Sequence, residues 1–253
     1  MQFLLLVLFS QDEHYDSMYE LMSSYYNKFK NVKTIYYTYS NTIEDDFVLK
    51  NNILYIQGTE SYIPGILDKT IKAFKYFEYE MKSKNVNYDY IIRSNISTII
   101  RFDKLESALL SCPVEYGGGL MYKLGWLSEH EGIIDERFMG TYFCSGTCIL
   151  FSKPTFLKMM LNIHHIRMDI IDDVSIGILF NENAGLLLKN PSIKSLNLTG
   201  EEFLHVPNMM DNIDELNTFL INNKNAIFYR NKNDDRFTDV TQMKYIISFL
   251  NNN

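Results

Sequence analysis

The chain has 253 residues, of which 46% are hydrophobic and 14% aromatic, enough apolar side chain for a sizeable core. Its formal net charge of −7 argues against a general nucleic-acid-binding surface. The three cysteines, Cys112, Cys144 and Cys148, are too few and odd in number for a disulfide-stapled secreted domain, and no second Cys/His pair completes a zinc site.

The opening MQFLLLVLFS has no basic n-region, and Gln11-Asp12-Glu13 follows where a signal peptide would carry a small-residue cleavage site. Residues 3–9 are therefore predicted to be a strand buried on both faces. No apolar run approaches the ~20 residues of a membrane span, and a soluble, cytoplasmic protein without a membrane anchor is expected. The triplets Asn95-Ile96-Ser97 and Asn197-Leu198-Thr199 are then chance glycosylation matches.

Residues 12–29 place Tyr15, Met18, Tyr19, Met22, Tyr25 and Tyr26 at helical spacing, with Asp12 near the start. Residues 32–39 and 53–57 read as strands, and residues 66–81 as a helix whose stripe is Ile66, Ile71, Phe74, Phe77 and Met81. Residues 88–92 read as another strand. This rhythm predicts an α/β fold with a mixed, mainly parallel central sheet flanked by helices.

Residues 114–122 and 141–151 are each expected to be a glycine-bearing strand, and the surface loop between them holds Trp126. Gly117-Gly118-Gly119 lacks the Lys-Ser/Thr of a P-loop and fits close strand packing. Helices follow over 154–163, after Ser152 and Pro154, and over 172–181, which opens on two acids. Residues 210–222 read as a helix, 226–230 as a strand and 241–250 as a closing helix. With no repeat, linker or break in composition, one domain over 1–253 is expected.

Ligands of open α/β sheets bind beyond the carboxyl ends of strands. That rule selects Ser10-Gln11, Ser40-Asn41, Gly58-Thr59-Glu60 and residues 93–97 as the mouth of one crevice. The last of these interrupts an apolar strand with Arg93-Ser94-Asn95-Ile96-Ser97-Thr98. Outside that mouth, His164-His165 have no third ligand at a suitable spacing, and Glu44-Asp45-Asp46 reads as a solvated loop.

Residues 88–101, YDYIIRSNISTIIR, resemble the D-x-x-x-K-T-D-D-D-V strand of GT-A glycosyltransferases of the beta-1,3-galactosyltransferase and Fringe type. Asp89 falls on the leading acid, Arg93-Ser94 on Lys-Thr, and Asn95-Ile96-Ser97 on the metal-binding acidic triplet. Three further segments match in order. Glu60-Ser61-Tyr62 with Leu67 and Lys69-Thr70 is similar to D-S-Y-x-N-L-x-x-K-T, with one extra residue. YFCSGTCILFS (142–152) is similar to Y-C-S-G-x-x-Y-V-L-S, and DDVSIG (172–177) to the E/D-D-V-x-x-G segment that carries the catalytic base.

The resemblance implies a GT-A fold that transfers a sugar from a nucleotide donor, with UDP as the expected nucleotide, to a hydroxyl of a glycan or glycoprotein, with inversion. A nucleotide-binding half over about 1–112 and an acceptor and catalytic half over about 113–253 would follow. It implies Asp173 as the base, with Asp172 as the fallback; the plain alternative is that both acids only favour the start of a helix. Ser10, Gln11, Lys69, Arg93, Asn95, Ser97, Arg230 and Lys232 are the candidate donor ligands. Trp126, Ser145 and Gly146 are the candidate acceptor ligands, beside Tyr122.

The chain departs from the family at its metal motif, since Asn95-Ile96-Ser97 offers no carboxylate for Mn²⁺ or Mg²⁺. Three readings stay open. Basic side chains, including Arg101 and the RNKNDDR run with Arg236, neutralise the diphosphate without a metal; or a metal binds through the phosphates with help from His205; or activity is lost and the chain is a GT-A-like binding module. A nucleotidyltransferase on a similar sheet would need paired metal-binding carboxylates and a Gly-rich loop after the first strand, which Ser10-Gln11-Asp12-Glu13 does not supply. A cytoplasmic bacterial or large-virus glycan pathway fits the missing anchor and a composition rich in Asn, Ile, Lys and Tyr.

Overall fold

A computed structural model describes residues 1–11, 13–182, 193–196, 201–233 and 235–252. The first strand, β1 (Phe3–Leu8), has no exposed residue, and its alternating side chains feed two different cores. Leu4 and Leu6 pack with Ile35, Tyr37, Phe74, Phe77, Phe151 and Phe156, whereas Phe3, Leu5 and Val7 pack with Met18, Met22, Phe102 and Leu105. A strand buried on both faces needs helices on both sides, and each fully buried Leu or Phe contributes about 1.5–3 kcal/mol.

The helices lie accordingly. On one face are α1 (Glu13–Tyr26), α3 (Phe102–Ser111) and the closing α7 (Arg236–Asn252). On the other are α2 (Gly65–Ser83) and α4 (Lys153–Leu161). A further helix, α6 (Ile213–Asn222), starts at Asn212, whose side chain accepts from the Glu215 amide. Among the described residues no helix is long and apolar enough to cross a membrane.

The sheet has eight strands in the order β11-β7-β10-β5-β1-β2-β4-β3. These are β2 (Val32–Ser40), β3 (Phe47–Lys50), β4 (Ile53–Gln57), β5 (Tyr90–Asn95), β7 (Tyr116–Gly118), β10 (Cys148–Ser152) and β11 (Ile193–Ser195), besides β1. β4, β2, β1 and β5 run parallel, and the register sets Leu6 beside both Ile35 and Arg93. β10 and β3 run against their neighbours. The expected mixed, mainly parallel α/β sheet is what the chain forms.

A three-stranded sheet joins β12 (Phe203–Val206), β13 (Phe228–Asn231) and β6 (Thr98–Ile100). A two-stranded ribbon joins β8 (Met121–Lys123) to β9 (Tyr142–Cys144). A third core of Leu124, Ile133, Phe138, Phe143, Ile170, Val174 and Ile178 packs α5 (Asp172–Glu182) against β9 and the loop after β8.

Several boundaries differ from expectation. β5 continues to Asn95 instead of ending at Ile92, because Arg93 and Ser94 stay in register with Leu6 and Val7. Residues 114–122 and 141–151 each split into two strands, so that β7 and β10 stay in the main sheet while β8 and β9 leave it. The closing helix starts at Arg236, not 241. The short edge strand β3 carries a weak sequence pattern, and helix α3, whose Phe102, Leu105 and Leu109 fall at helical spacing, is not among the expected elements. Asp12 and the Asn197 triplet lie outside the described residues.

The glycine run packs closely, as expected. A Cβ on Gly118 would sit 2.4 Å from the Cys148 carbonyl oxygen and 3.0 Å from the Cys144 Cβ. Both neighbours belong to buried strand ends and cannot yield cheaply. Gly118→Ala is expected to lower unfolding stability by about 1–3 kcal/mol, read as a lower denaturant midpoint at unchanged slope.

Candidate active site

A crevice of about 550 Å³ opens beyond the carboxyl ends of β1 and β5. Its floor is Leu8, Ser10, Asn95, Ile96 and Ser97, where the parallel strands β1 and β5 stop. One wall carries Asp172 and Asp173 with Ser145, Gly146 and Thr147, and the other carries His205, Arg230, Lys232 and Arg236. Tyr15 and Tyr62 stand at its sides.

The acidic wall is built by the start of α5. Ile171 donates its amide to the Glu131 carbonyl at 3.0 Å, tying that start to the loop after β8. At Gly132 in the same loop, φ is +71° and a Cβ would meet the Asp169 carbonyl oxygen at 1.9 Å, so only glycine permits the approach. Asp172 is buried, and its Oδ2 accepts from Arg93 Nη2 at 2.5 Å. Asp173 Oδ2 accepts from the Gly146 amide at 2.8 Å, and Oδ1 from the Val174 amide at 2.9 Å.

Burial, reinforced by the neighbouring Asp172 charge, pushes the Asp173 carboxyl up to about 6. Arg93 is 1% exposed; burial, the largest single influence, opposes its charge, but Asp172, Tyr37 and Asp173 together outweigh it and shift it upward on balance.

The basic wall belongs to the second sheet. Parallel pairing sets His205 beside Arg230, and antiparallel pairing sets Arg230 opposite Thr98. Arg230 is 5% exposed; its Nη1 donates to Ser97 Oγ at 2.6 Å and Thr98 Oγ1 at 3.2 Å, and its Nε has no partner. Burial, then Arg236 and Arg93, lowers it to about 10, so it remains a cation at neutral pH. Burial, Arg230 and Lys232 shift His205 downward, which keeps its imidazole neutral there. Arg236 pairs with the buried Asp239 at 2.8 Å, whereas among the described residues no carboxylate lies within ion-pair distance of Arg230 or Lys232.

Of the residues predicted from sequence, Ser10, Arg93, Asn95, Ser97, Ser145, Gly146, Asp172, Asp173, His205, Arg230 and Lys232 all line this crevice. Gln11, Lys69 and Trp126 do not. Gln11 is exposed beyond the end of β1. Lys69 is 1% exposed; its Nζ donates to the Phe9 carbonyl at 3.0 Å and to both Glu60 oxygens at 2.6 and 2.7 Å, so it braces the sheet behind Ser10. Trp126 stands on the outer loop and donates to Glu131 Oε2 at 2.8 Å.

Arg101 pairs with Asp103 and the Lys224 carbonyl beside a different cavity, and Ser40-Asn41 with residues 58–60 form no part of the lining. Glu44, Asp45 and Asp46 are exposed elsewhere, and His164 and His165 lie against each other with tilted rings whose centroids are 4.0 Å apart. Arg236, expected with the basic run over the donor, lines the crevice as well. Tyr15 and Thr147 also line it but are not singled out by the sequence, where Tyr15 reads as part of a core stripe.

The donor set does not fit a divalent cation. Asn95 Oδ1 accepts from Arg93 Nη1 at 2.8 Å, and Ser97 Oγ accepts from Arg230. Both oxygens therefore face guanidinium groups that would repel a metal ion. Among the described residues no three His, Cys, Asp or Glu side chains gather to hold one, and His205 stands beside Arg230 without a second ligand of that kind.

No family model and no curated protein matches the sequence. Among solved structures the chain is similar to a glycosyltransferase involved in the glycosylation of the major capsid of PBCV-1. The identity is 10% and the TM-score 0.48, over 96% of this chain and 100% of that one.

Asp173 gives a direct test of the crevice electrostatics. Its folded-state pKa lies above the ordinary carboxylate value, so protonation favours the folded state. That stabilisation is complete below about pH 4 and lost as pH rises through about 6. Asp173→Asn gives up one amide hydrogen bond but removes the ionisation penalty. It is expected to be more stable than wild type by about 1–2 kcal/mol at pH 8 and to lose that advantage at pH 4, in paired thermal-unfolding curves.

Proposed function

We propose that the protein is a glycosyltransferase of GT-A type that moves a sugar from a nucleoside-diphosphate sugar to a hydroxyl of a glycan or glycoprotein, with inversion and without a metal. The observation that carries this reading is the division of one crevice into a carboxylate wall and a cationic wall. Asp173 stands on the first, and Arg230 and Lys232, which have no carboxylate partner among the described residues, on the second.

The chemistry follows from that division. The diphosphate of the donor lies along Arg230 and Lys232, whose two charges match the roughly two negative charges of a diphosphodiester and relieve the isolated burial of Arg230. An acceptor hydroxyl hydrogen-bonds to Asp173, which is mainly ionised at pH 7. The hydroxyl oxygen attacks the anomeric carbon as its bond to the phosphate oxygen breaks. The proton passes to Asp173, and the nucleoside diphosphate leaves with an added negative charge that the guanidinium and ammonium groups stabilise. A base with a pKa near 6 stays ionised at working pH while remaining a better proton acceptor than an ordinary aspartate.

Asp173 suits the base role better than Asp172, whose Oδ2 is committed to Arg93 and whose side chain is buried. The basic wall supplies what the resemblance assigns to a metal. UDP is the nucleotide favoured by that resemblance, and the other nucleotides are arms of the test.

Calorimetric titration with UDP-, GDP- and dTDP-sugars is expected to give one tight donor whose affinity is unchanged by EDTA. Loss of binding in EDTA would overturn the metal-free reading. Arg230→Met is expected to weaken that donor by at least about tenfold, and Asp173→Asn to lower kcat by about 10²–10⁴ with donor affinity retained. The log of kcat/KM should fall with unit slope below about pH 6. Donor binding without transfer, unaffected by Asp173→Asn, would make the protein a binding module.

A further inference from the structure

We infer that Arg93 is a positioning residue, which holds Asp173 in its working orientation through the two peptide groups of Gly146, with Asp172 as its fixed counter-ion, and does not contact the donor. This rests on the reading of Asp173 as the base.

Arg93 sits inside the sheet, flanked by Leu6 of β1 and Ile149 of β10 in the strand register. Its side chain shares a face with Tyr37, and its two terminal nitrogens reach three acceptors. Nη2 donates to Asp172 Oδ2 at 2.5 Å, while Nη1 donates to Asn95 Oδ1 at 2.8 Å and to the Gly146 carbonyl. The amide of the same Gly146 donates to Asp173 Oδ2 at 2.8 Å. One residue thus receives the guanidinium on its carbonyl side and passes a hydrogen bond to the carboxylate on its amide side. Asp172 and Asp173, adjacent at the start of α5, are held by the two ends of one connected set.

The turn that carries Gly146 is fixed independently. The Asn95 amide and Ser94 Oγ donate to the Thr147 carbonyl at 3.2 and 3.0 Å, and the Ser145 amide donates to the Leu120 carbonyl at 2.9 Å. The fit at its centre is close, since a Cβ on Gly146 would lie 3.0 Å from Arg93 Nη1 and 3.4 Å from Asp173 Oδ2, so that a larger residue makes its neighbours shift by a few tenths of an ångström. The guanidinium is 1% exposed and both terminal nitrogens are engaged by protein acceptors; its Nε has no partner but is sealed from the crevice solvent, so little is left to offer a phosphate.

The other ionisable groups around Asp173 are Tyr62 at the crevice side, Tyr116 on β7 and Cys144 on β9, each kept protonated by burial. Asp172 and Arg93 are therefore the charges that face it from the packed elements, and the amide of Gly146 is a main hydrogen bond that opposes its burial.

Arg93→Lys keeps the charge beside Asp172 but cannot span all three acceptors, and Gly146→Ala keeps the ion pair while displacing the amide. In both variants kcat is expected to fall about 10²-fold with the donor dissociation constant within about twofold of wild type. The Asp173 carboxyl resonance, followed by ¹³C NMR, is expected to titrate at higher pH than in wild type. A donor contact would show the reverse pattern, with weakened donor binding and kcat retained at saturation. A merely structural role would lower the melting temperature and leave both kcat and the Asp173 titration unchanged; either pattern overturns the inference. If wild type transfers no sugar at all, the glycosyltransferase reading fails, yet the NMR titration still decides the positioning claim.

Discussion

The Arg93–Asp172 ion pair is the constraint around which the rest of the crevice is arranged. An arginine in the interior strand of a sheet is tolerable only if its charge is countered and its terminal nitrogens are met by protein groups, because water cannot reach them. Meeting them requires the amino end of α5, the end of β5 and the turn at Gly146 to converge on one point. Asp173 is then carried into place as the next residue along the helix. Its half-buried setting and its proximity to Asp172 follow from that convergence, as does the upward shift of its pKa. The helix that delivers the carboxylates is anchored from behind by the core of Ile133, Phe143, Val174 and Ile178.

The opposite wall answers a different constraint. β6 leaves the main sheet just after β5 and pairs with β13, which brings a segment some 130 residues away in sequence into the same crevice. Arg230 arrives there nearly buried, bonded to the hydroxyls of Ser97 and Thr98, with no carboxylate partner among the described residues. A buried cation held only by neutral oxygens is electrostatically incomplete, and a bound anion would complete it. At the ends of these strands the chain carries an amide and a hydroxyl that accept hydrogen bonds from two arginines. Positive charge enters the site on side chains, and the local chemistry is that of guanidinium groups.

Much of this was legible in the sequence. The continuous apolar run of β1, the helical stripes of α1 and α2 and the β-branched β2 specify a doubly covered parallel sheet without reference to any neighbour. The polar interruption after Ile92 marked the carboxyl end of a strand, and the paired acids at 172–173 marked a helix start. The errors came where one apolar run hides two strands, as at 114–122 and 141–151. Periodicity records whether a side chain is buried and is silent about which sheet the backbone joins. Lys69 misled for a related reason: a lysine near strand ends suggests an anion site, and only its geometry reveals that Glu60 and the Phe9 carbonyl already occupy it.

The sequence by itself determined the fold class and most of the residues that face the crevice, because local hydrophobic pattern and strand-end polarity are properties of contiguous segments. The tertiary structure decided what each of those residues is free to do. Arg93 and Arg230 look alike as basic residues near polar clusters, yet one is balanced by Asp172 and the other has no carboxylate partner among the described residues. Asp172 and Asp173 are neighbours in the chain, yet one is bound to a guanidinium and the other is set by two amides at the crevice edge. Charge compensation between side chains far apart in sequence is a pairwise property of three-dimensional distance, and no pattern along a single chain records it.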